Sequence, residues 1–234
     1  MTSFDASMQR GCGHRFKLEK GSGMLKSTIA VVVMTCATSS IAFAGQAMPM
    51  EEARMGDRWT YSMRDEITGE TKGRYTQIVT DVGGEEISVR QTMPGKPDWY
   101  LVYDLNWNMK SDAGGRYSPN DGQGVRVPLS VGDSWSRQLT RIPSSGGAVK
   151  VSRTSRVVGE ETVTTPAGRF EAFQIEITSR VEMREDPTKK GTSVLRMWYS
   201  PAINHWVKRV AEGRMEGHIV SKSSEELIAY GRRE

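Results

Sequence analysis

Cysteine and histidine are nearly missing from this chain. Its 234 residues include two Cys (Cys12, Cys36) and three His (His14, His205, His218). That scarcity excludes a disulfide-stapled scaffold and any Cys/His zinc pattern, so no metal is expected. Long hydrophobic runs are lacking as well. The stretch at residues 29–34 (Ile29, Ala30, Val31, Val32, Val33, Met34) is far shorter than the roughly 20 residues a membrane-spanning helix needs. A large charge excess of one sign is also lacking: 32 Lys+Arg stand against 28 Asp+Glu, interspersed along the chain. Nucleic acid would call for a concentrated basic footprint and is not expected as a partner. Helical periodicity is almost absent, which removes bundles and βαβ architectures.

The first 44 residues read as an export signal. Met24-Leu25-Lys26 is a short basic start, residues 29–34 are the apolar centre, and Ala42-Phe43-Ala44 is the small-x-small pattern of a peptidase site. Cleavage is expected after Ala44, giving a periplasmic or secreted protein without a transmembrane segment. Residues 1–23 precede the basic n-region of this signal, so initiation at Met24 is expected, with a long n-region starting at Met1 as the alternative. Cys36, preceded by Val33-Met34-Thr35, offers the alternative of a lipid anchor, although Thr35 is a poor residue before a lipidated cysteine. Removing residues 1–44 leaves 27 basic against 26 acidic residues and no cysteine. A thiol nucleophile and a disulfide are then both excluded.

Past residue 44 the dominant signal is period-two alternation, the mark of half-buried antiparallel strands. It is found around Trp59 and Tyr61, at residues 75–82 and 86–90 on either side of Gly83-Gly84, at 99–103, and at 149–158. It continues at 170–177, 194–199, 206–210, 217–221 and 225–230. One short helix is expected at residues 46–55, with Pro49 in its first turn. The pattern also repeats. Gly56-Asp57-x-Trp59 matches Gly132-Asp133-x-Trp135, and Val82-Gly83-x-Glu85-x-Ile87 matches Val158-Gly159-x-Glu161-x-Val163, both at an offset of 76. Asn106-Trp107-Asn108-Met109-Lys110 resembles Asn204-His205-Trp206-Val207-Lys208 in a shifted register. The expectation is an all-β fold over 45–234: an antiparallel curved sheet, half-barrel or sandwich made of two related meanders at about 56–110 and 132–210. Residues 110–124, rich in Gly, Ser, Asp and Asn, read as a polar linker between the halves.

The run Val157-Val-Gly-Glu-Glu-Thr-Val-Thr-Thr-Pro-Ala-Gly-Arg-Phe170, followed by Trp198-Tyr199-Ser200-Pro201, resembles a group of uncharacterised exported bacterial β-domains. Those domains share V-x-G-x-E-x-V-x-x-P-A-G-x-F and W-Y-x-P motifs; the TapB-like domains are similar. The resemblance covers about residues 130–230 well and the first half loosely. It implies an envelope location and a curved antiparallel sheet, and it implies no catalytic residue. Physically the motif is turn chemistry: Pro166 fixes φ, Gly168 permits a positive φ, and Phe170 starts the next buried face.

Catalytic signals are weak. Neither His205 nor His218 has a nucleophile elbow beside it. His205, between Asn204 and Trp206 at a turn, is expected to be solvated or hydrogen-bonded. The doublets Glu51-Glu52, Glu85-Glu86, Glu160-Glu161 and Glu225-Glu226 cannot each place two carboxyls in one cleft, because strand neighbours face opposite ways. They read as solvated hairpin ends, which leaves a cell-wall hydrolase as the weakest of three readings. Met48, Met50 and Met55 read as packing for the short helix rather than as soft copper ligands. Aromatics carry more information. All six Trp lie beyond residue 44. Trp59, Trp135 and Trp198 are expected as core anchors, and Trp107 and Trp206, with Tyr103 and Tyr199, as the lining of a ligand cavity mouth or partner patch. The expected function is non-catalytic and needs no cofactor: binding a lipid or other apolar or amphipathic ligand, or an envelope protein. An assembly scaffold without a small ligand is the alternative.

Overall fold

Alternation of large inward and polar outward residues dictates a wall one residue thick. In the computed structural model, which describes residues 50–186 and 188–232, that wall is a closed antiparallel barrel. The expected export signal lies outside the described residues. The strands are β1 (Arg58–Asp65), β2 (Thr71–Val82), β3 (Glu86–Thr92), β4 (Trp99–Asp104), β5 (Met109–Asp112), β6 (Gly115–Ser118), β7 (Ser134–Pro143), β8 (Val149–Thr165), β9 (Gly168–Met183), β10 (Lys190–Ser200), β11 (His205–Met215) and β12 (His218–Gly231). Each pairs with its sequence neighbours, and β12 returns to β1 in a register running from Arg58 opposite Gly231 to Asp65 opposite Ser223. On β1, Trp59 and Tyr61 point inward while Arg58, Thr60 and Ser62 face out. On β8, Val151, Ser155 and Val157 point inward while Lys150, Ser152, Thr154 and Arg156 are exposed. A wall that is polar outside and apolar inside is the reverse of a lipid-facing barrel. Among the described residues no helix is long and apolar enough to cross a membrane.

Two expectations of the sequence are corrected here. The sheet is neither an open half-barrel nor a sandwich, because β1 pairs along its whole length with Ser223–Gly231 of β12 and closes the seam. Nor do the described residues of the expected helix, from Met50 on, coil. Glu51 N–H donates to the Pro201 carbonyl (3.1 Å), and the Asp57 carboxylate accepts from Arg54 N–H (3.0 Å), so the segment is drawn out along the barrel end. Arg232 clamps it there, reaching Glu51, the Glu52 carbonyl and Asp57. Residues 46–49 lie outside the described residues.

Similar irregularities occur in the two halves, although the slips at Val79/Asp81 and Val157/Gly159 lie 78 residues apart rather than the 76 of the sequence repeat, and Gly83 sits at the β2–β3 turn whereas Gly159 lies inside β8. The β2–β3 register slips between Val79 and Asp81, and the β8–β9 register between Val157 and Gly159. The β4–β5 register slips beside Tyr103, which faces Met109; the β10–β11 register slips beside Tyr199, which faces Trp206. Ahead of β1, Gly56 N–H donates to the Val79 carbonyl (2.8 Å); ahead of β7, Gly132 N–H donates to the Val157 carbonyl (2.9 Å). Both glycines have positive φ, 94° and 98°, a region that a side chain disfavours.

The expected linker is the third correction. Residues 109–118 form the β5–β6 hairpin, and the segment that follows turns into the barrel as a plug. Asn120, Asp121, Val125 and Leu129 are buried. A polar segment can be buried because its groups are paired. Asp104 accepts from both Asn108 and Asn120 side chains, and Asn108 accepts from Gly124 N–H (2.9 Å). Gly124 passes so close to the β4–β5 turn that a Cβ there would lie 2.1 Å from the Asn106 carbonyl oxygen.

Candidate functional site

Inward positions of β1, β4, β10 and β11 converge at the barrel end where β1 and β11 begin. Trp59 stacks on His205 (centroids 4.1 Å apart, 14° between planes), and Trp107 meets both edge-on. Trp107 and Asn204 hold matching left-handed positions in their turns, with φ of 61° and 48°. The Trp107 indole N–H donates to Asn204 Oδ1 (2.9 Å), which also accepts from the Tyr199 hydroxyl. The two left-handed residues are thereby tied to each other, and the Trp107 ring is held inside the barrel.

All four residues singled out from the sequence, Tyr103, Trp107, Tyr199 and Trp206, line one cavity of about 130 Å³, with Met109, Met197, Asp121, Gln123 and Arg209. They lie inside the barrel rather than at a mouth or on a partner patch; each is at most 4% exposed. A second cavity of about 150 Å³ adjoins it across Gln123 and Arg209, and is lined by Arg153, Ser179, Ser193, Ala211, Ser223 and Glu225 among others. A third, about 290 Å³, shares Ser223 and Glu225 with the second and opens between Met63, Ile67 and Val220 at the opposite barrel end.

The charged groups of this interior were not read as site residues. Arg209 donates to Glu225 through Nε (2.9 Å) and Nη2 (2.8 Å), and the Tyr75 hydroxyl donates to the same carboxylate oxygen (2.9 Å). The guanidinium also lies 4.3 Å from the centre of the Trp206 ring. Burial alone would lower the Arg209 pKa; attraction from Glu225 and the nearby tyrosines outweighs it, and the net direction is up. Arg153 donates to Ser179 Oγ (3.0 Å) and to the Asp121 carbonyl. Burial pulls Arg153 down, and it pushes the Asp121 carboxyl up despite two backbone N–H donors from Met109 and Gln123. Period-two counting from buried Val207 puts Arg209 and Ala211 inside, so the signal was present. Glu225 corrects the reading of the doublets as solvated ends: it faces the interior while Glu226 faces out. Trp198 corrects another. It points outward, donating to Glu161 (2.5 Å) beneath Lys208, and only packs against the core's margin.

His205 is fully buried, not solvated. The Tyr61 hydroxyl donates to the Trp206 carbonyl (2.8 Å), so its oxygen accepts from His205 Nδ1–H (2.6 Å). That fixes the tautomer and leaves Nε2 a buried acceptor without a partner among the described residues. Burial, reinforced by Arg209, holds the imidazole pKa well below its usual value. A neutral ring sealed beneath Trp59 and Trp107 serves packing rather than proton transfer. Elsewhere, two adjoining depressions of about 680 and 770 Å³ lie over β7–β10, both lined by exposed Gln138, Ser152, Arg180 and Thr192.

No family model matches the chain, and no curated protein does. Solved structures share its architecture. A candidate exported protein with a YmcC-like fold from Bacteroides fragilis superposes with a TM-score of 0.50 at 15% identity, covering 78% of this chain and 99% of that one. A candidate lipoprotein of Parabacteroides distasonis gives 0.48 at 13% identity, over 78% and 97%. The hypothetical lipoprotein YmcC of Escherichia coli K12 gives 0.46 at 13% identity, over 76% and 87%. At these identities the likeness concerns the fold alone.

Proposed function

We propose that the chain is an exported envelope protein, released by cleavage after Ala44, that binds an apolar or amphipathic ligand inside its barrel and does not transform it. The convergence of Tyr103, Trp107, Tyr199 and Trp206 on one cavity beside Arg209 carries this reading. Binding sites of this kind are concave and largely apolar, with a few placed polar groups. The similar register slips of the two halves support descent from a duplicated meander, and the resemblance to exported β-domains, TapB-like ones included, supports the envelope location. Lipidation at Cys36, which would anchor the chain to the membrane instead of releasing it, is the alternative. The depressions over β7–β10 favour a second reading, an envelope protein partner seated on the outer wall.

The first reading is tested with N-phenylnaphthylamine, an uncharged apolar fluorophore. The folded protein is expected to enhance its emission saturably at one probe per chain, and Ala211→Phe, which fills the 150 Å³ cavity lying between the aromatic cavity and the open one at the far barrel end, to weaken binding at least tenfold. Absence of saturable binding, or equal binding to the filled variant, contradicts it.

A further inference from the structure

The interior cavities differ in chemistry along the barrel, and that difference specifies a ligand. The charged groups lining the 150 Å³ compartment are Arg153, Arg209 and Glu225, and each has an opposite charge beside it, that of Arg153 being Asp121 in the wall of the adjoining cavity. Arg209 is paired with Glu225, and Arg153 lies beside Asp121, with 3.9 Å between Nη1 and Oδ2. An added anion or cation would lose its hydration and find every opposite charge engaged, a costly arrangement in a protein interior. What is left over is neutral hydrogen-bonding capacity of both kinds. Arg209 and Glu225 meet through Nε, Nη2 and Oε2, which leaves Nη1 and Oε1 for other partners, and the Ser193 and Ser223 hydroxyls and the Gln123 amide line the same compartment. Beyond Ser223 and Glu225 lies the 290 Å³ cavity, whose lip carries Met63 with the exposed Ile67 and Val220, beside the charged side chains of Arg64, Asp65, Lys72 and Lys222. A polar compartment whose charges are paired thus opens toward a larger one with a partly apolar lip.

We infer that the ligand is an amphiphile with an uncharged, hydrogen-bonding head and an aliphatic tail. The head, bearing hydroxyl or amide groups, sits between Ser193, Ser223 and the Arg209–Glu225 pair. The tail runs out past Met63 toward Ile67 and Val220. Arg209 and Glu225 act together as a specificity element: each cancels the other's charge while offering the head one donor and one acceptor. This rests on the reading of the barrel as a ligand carrier, and adds to it the class of head group.

Three probes with one tail separate the two claims: 1-octanoylglycerol, octanoate and octylamine, titrated at neutral pH with tryptophan emission and calorimetry as readouts. The neutral ester is expected to bind at least tenfold more tightly than either charged probe. Glu225→Gln keeps the shape, leaves Arg209 without its counter-charge, and is expected to shift preference to octanoate. Should that variant fail to fold, as judged by circular dichroism, Ser193→Leu fills the head compartment without touching the ion pair and is expected to weaken the ester at least tenfold. Equal or tighter binding of octanoate or octylamine by the unaltered protein overturns the head-group inference while binding of N-phenylnaphthylamine leaves the carrier reading standing. Failure of the fluorophore and all three probes removes both.

Discussion

At the scale of single residues, His205 shows how burial fixes a side chain's chemistry. Its pKa is depressed in the folded chain, while the unfolded chain titrates near 6.5. The stability it contributes is therefore present above pH 6.5 and lost as pH falls below it, by up to about 1.4 kcal/mol per pH unit. Asp121 works in the other sense. Burial raises its carboxyl, so acidification toward the ordinary carboxylate range near 3.8 relieves a strain instead of adding one. Urea midpoints are expected to fall between pH 6.5 and 5 in the natural protein and to fall less steeply in His205→Asn, whose amide keeps the donor to Tyr61 but takes up no proton. Identical slopes would show that the imidazole titrates freely. A hydrogen-bonding role for His205 was legible from its place beside Asn204 at a turn. Its complete burial was not, because that depends on Trp59 and Trp107, 146 and 98 positions away in the chain.

At the scale of elements, the strands were legible and the plug was not. Alternation in β8, β9 and β11 follows from which face is wet, and that is a local property of the sequence. Glu225-Glu226 shows the limit: the rule that neighbours face opposite ways was available, yet which glutamate faces in depends on Arg209 across the β11–β12 pair. The segment after β6 reads as solvent loop because Asn, Asp and Gly usually are. It is buried because Asp104 gathers five hydrogen bonds, from the backbone N–H groups of Asn106 and Asn108, twice from the Asn108 amide and once from that of Asn120. Asp104→Ala is expected to cost about 1–3 kcal/mol, the desolvation of the amides it strands. It is also expected to speed tryptic cleavage after exposed Arg126 at least tenfold, with the β-sheet dichroism retained. Unchanged cleavage would mean that the plug is held by other contacts.

At the scale of the whole molecule, closure decides what the interior can be. An open sheet with these aromatics would present a surface; pairing β12 with β1 turns the same residues into the lining of cavities within the barrel. No local pattern announces that pairing, since it joins segments some 170 residues apart, and the same alternation serves a half-barrel or a sandwich. Of the six tryptophans, Trp59, Trp107 and Trp206 are buried in the core, Trp135 and Trp198 pack only against its margin, and Trp99 is exposed, so their number in the sequence did not tell which of them the closed barrel would enclose. The most direct test of a ligand-carrying barrel is native mass spectrometry of the protein purified from the envelope of its own cells. The expected spectrum contains the chain plus one non-covalent adduct of uncharged lipid, released on gentle activation and missing from Ala211→Phe. A bare chain mass in the natural protein, or an adduct retained equally by the filled variant, would contradict the account.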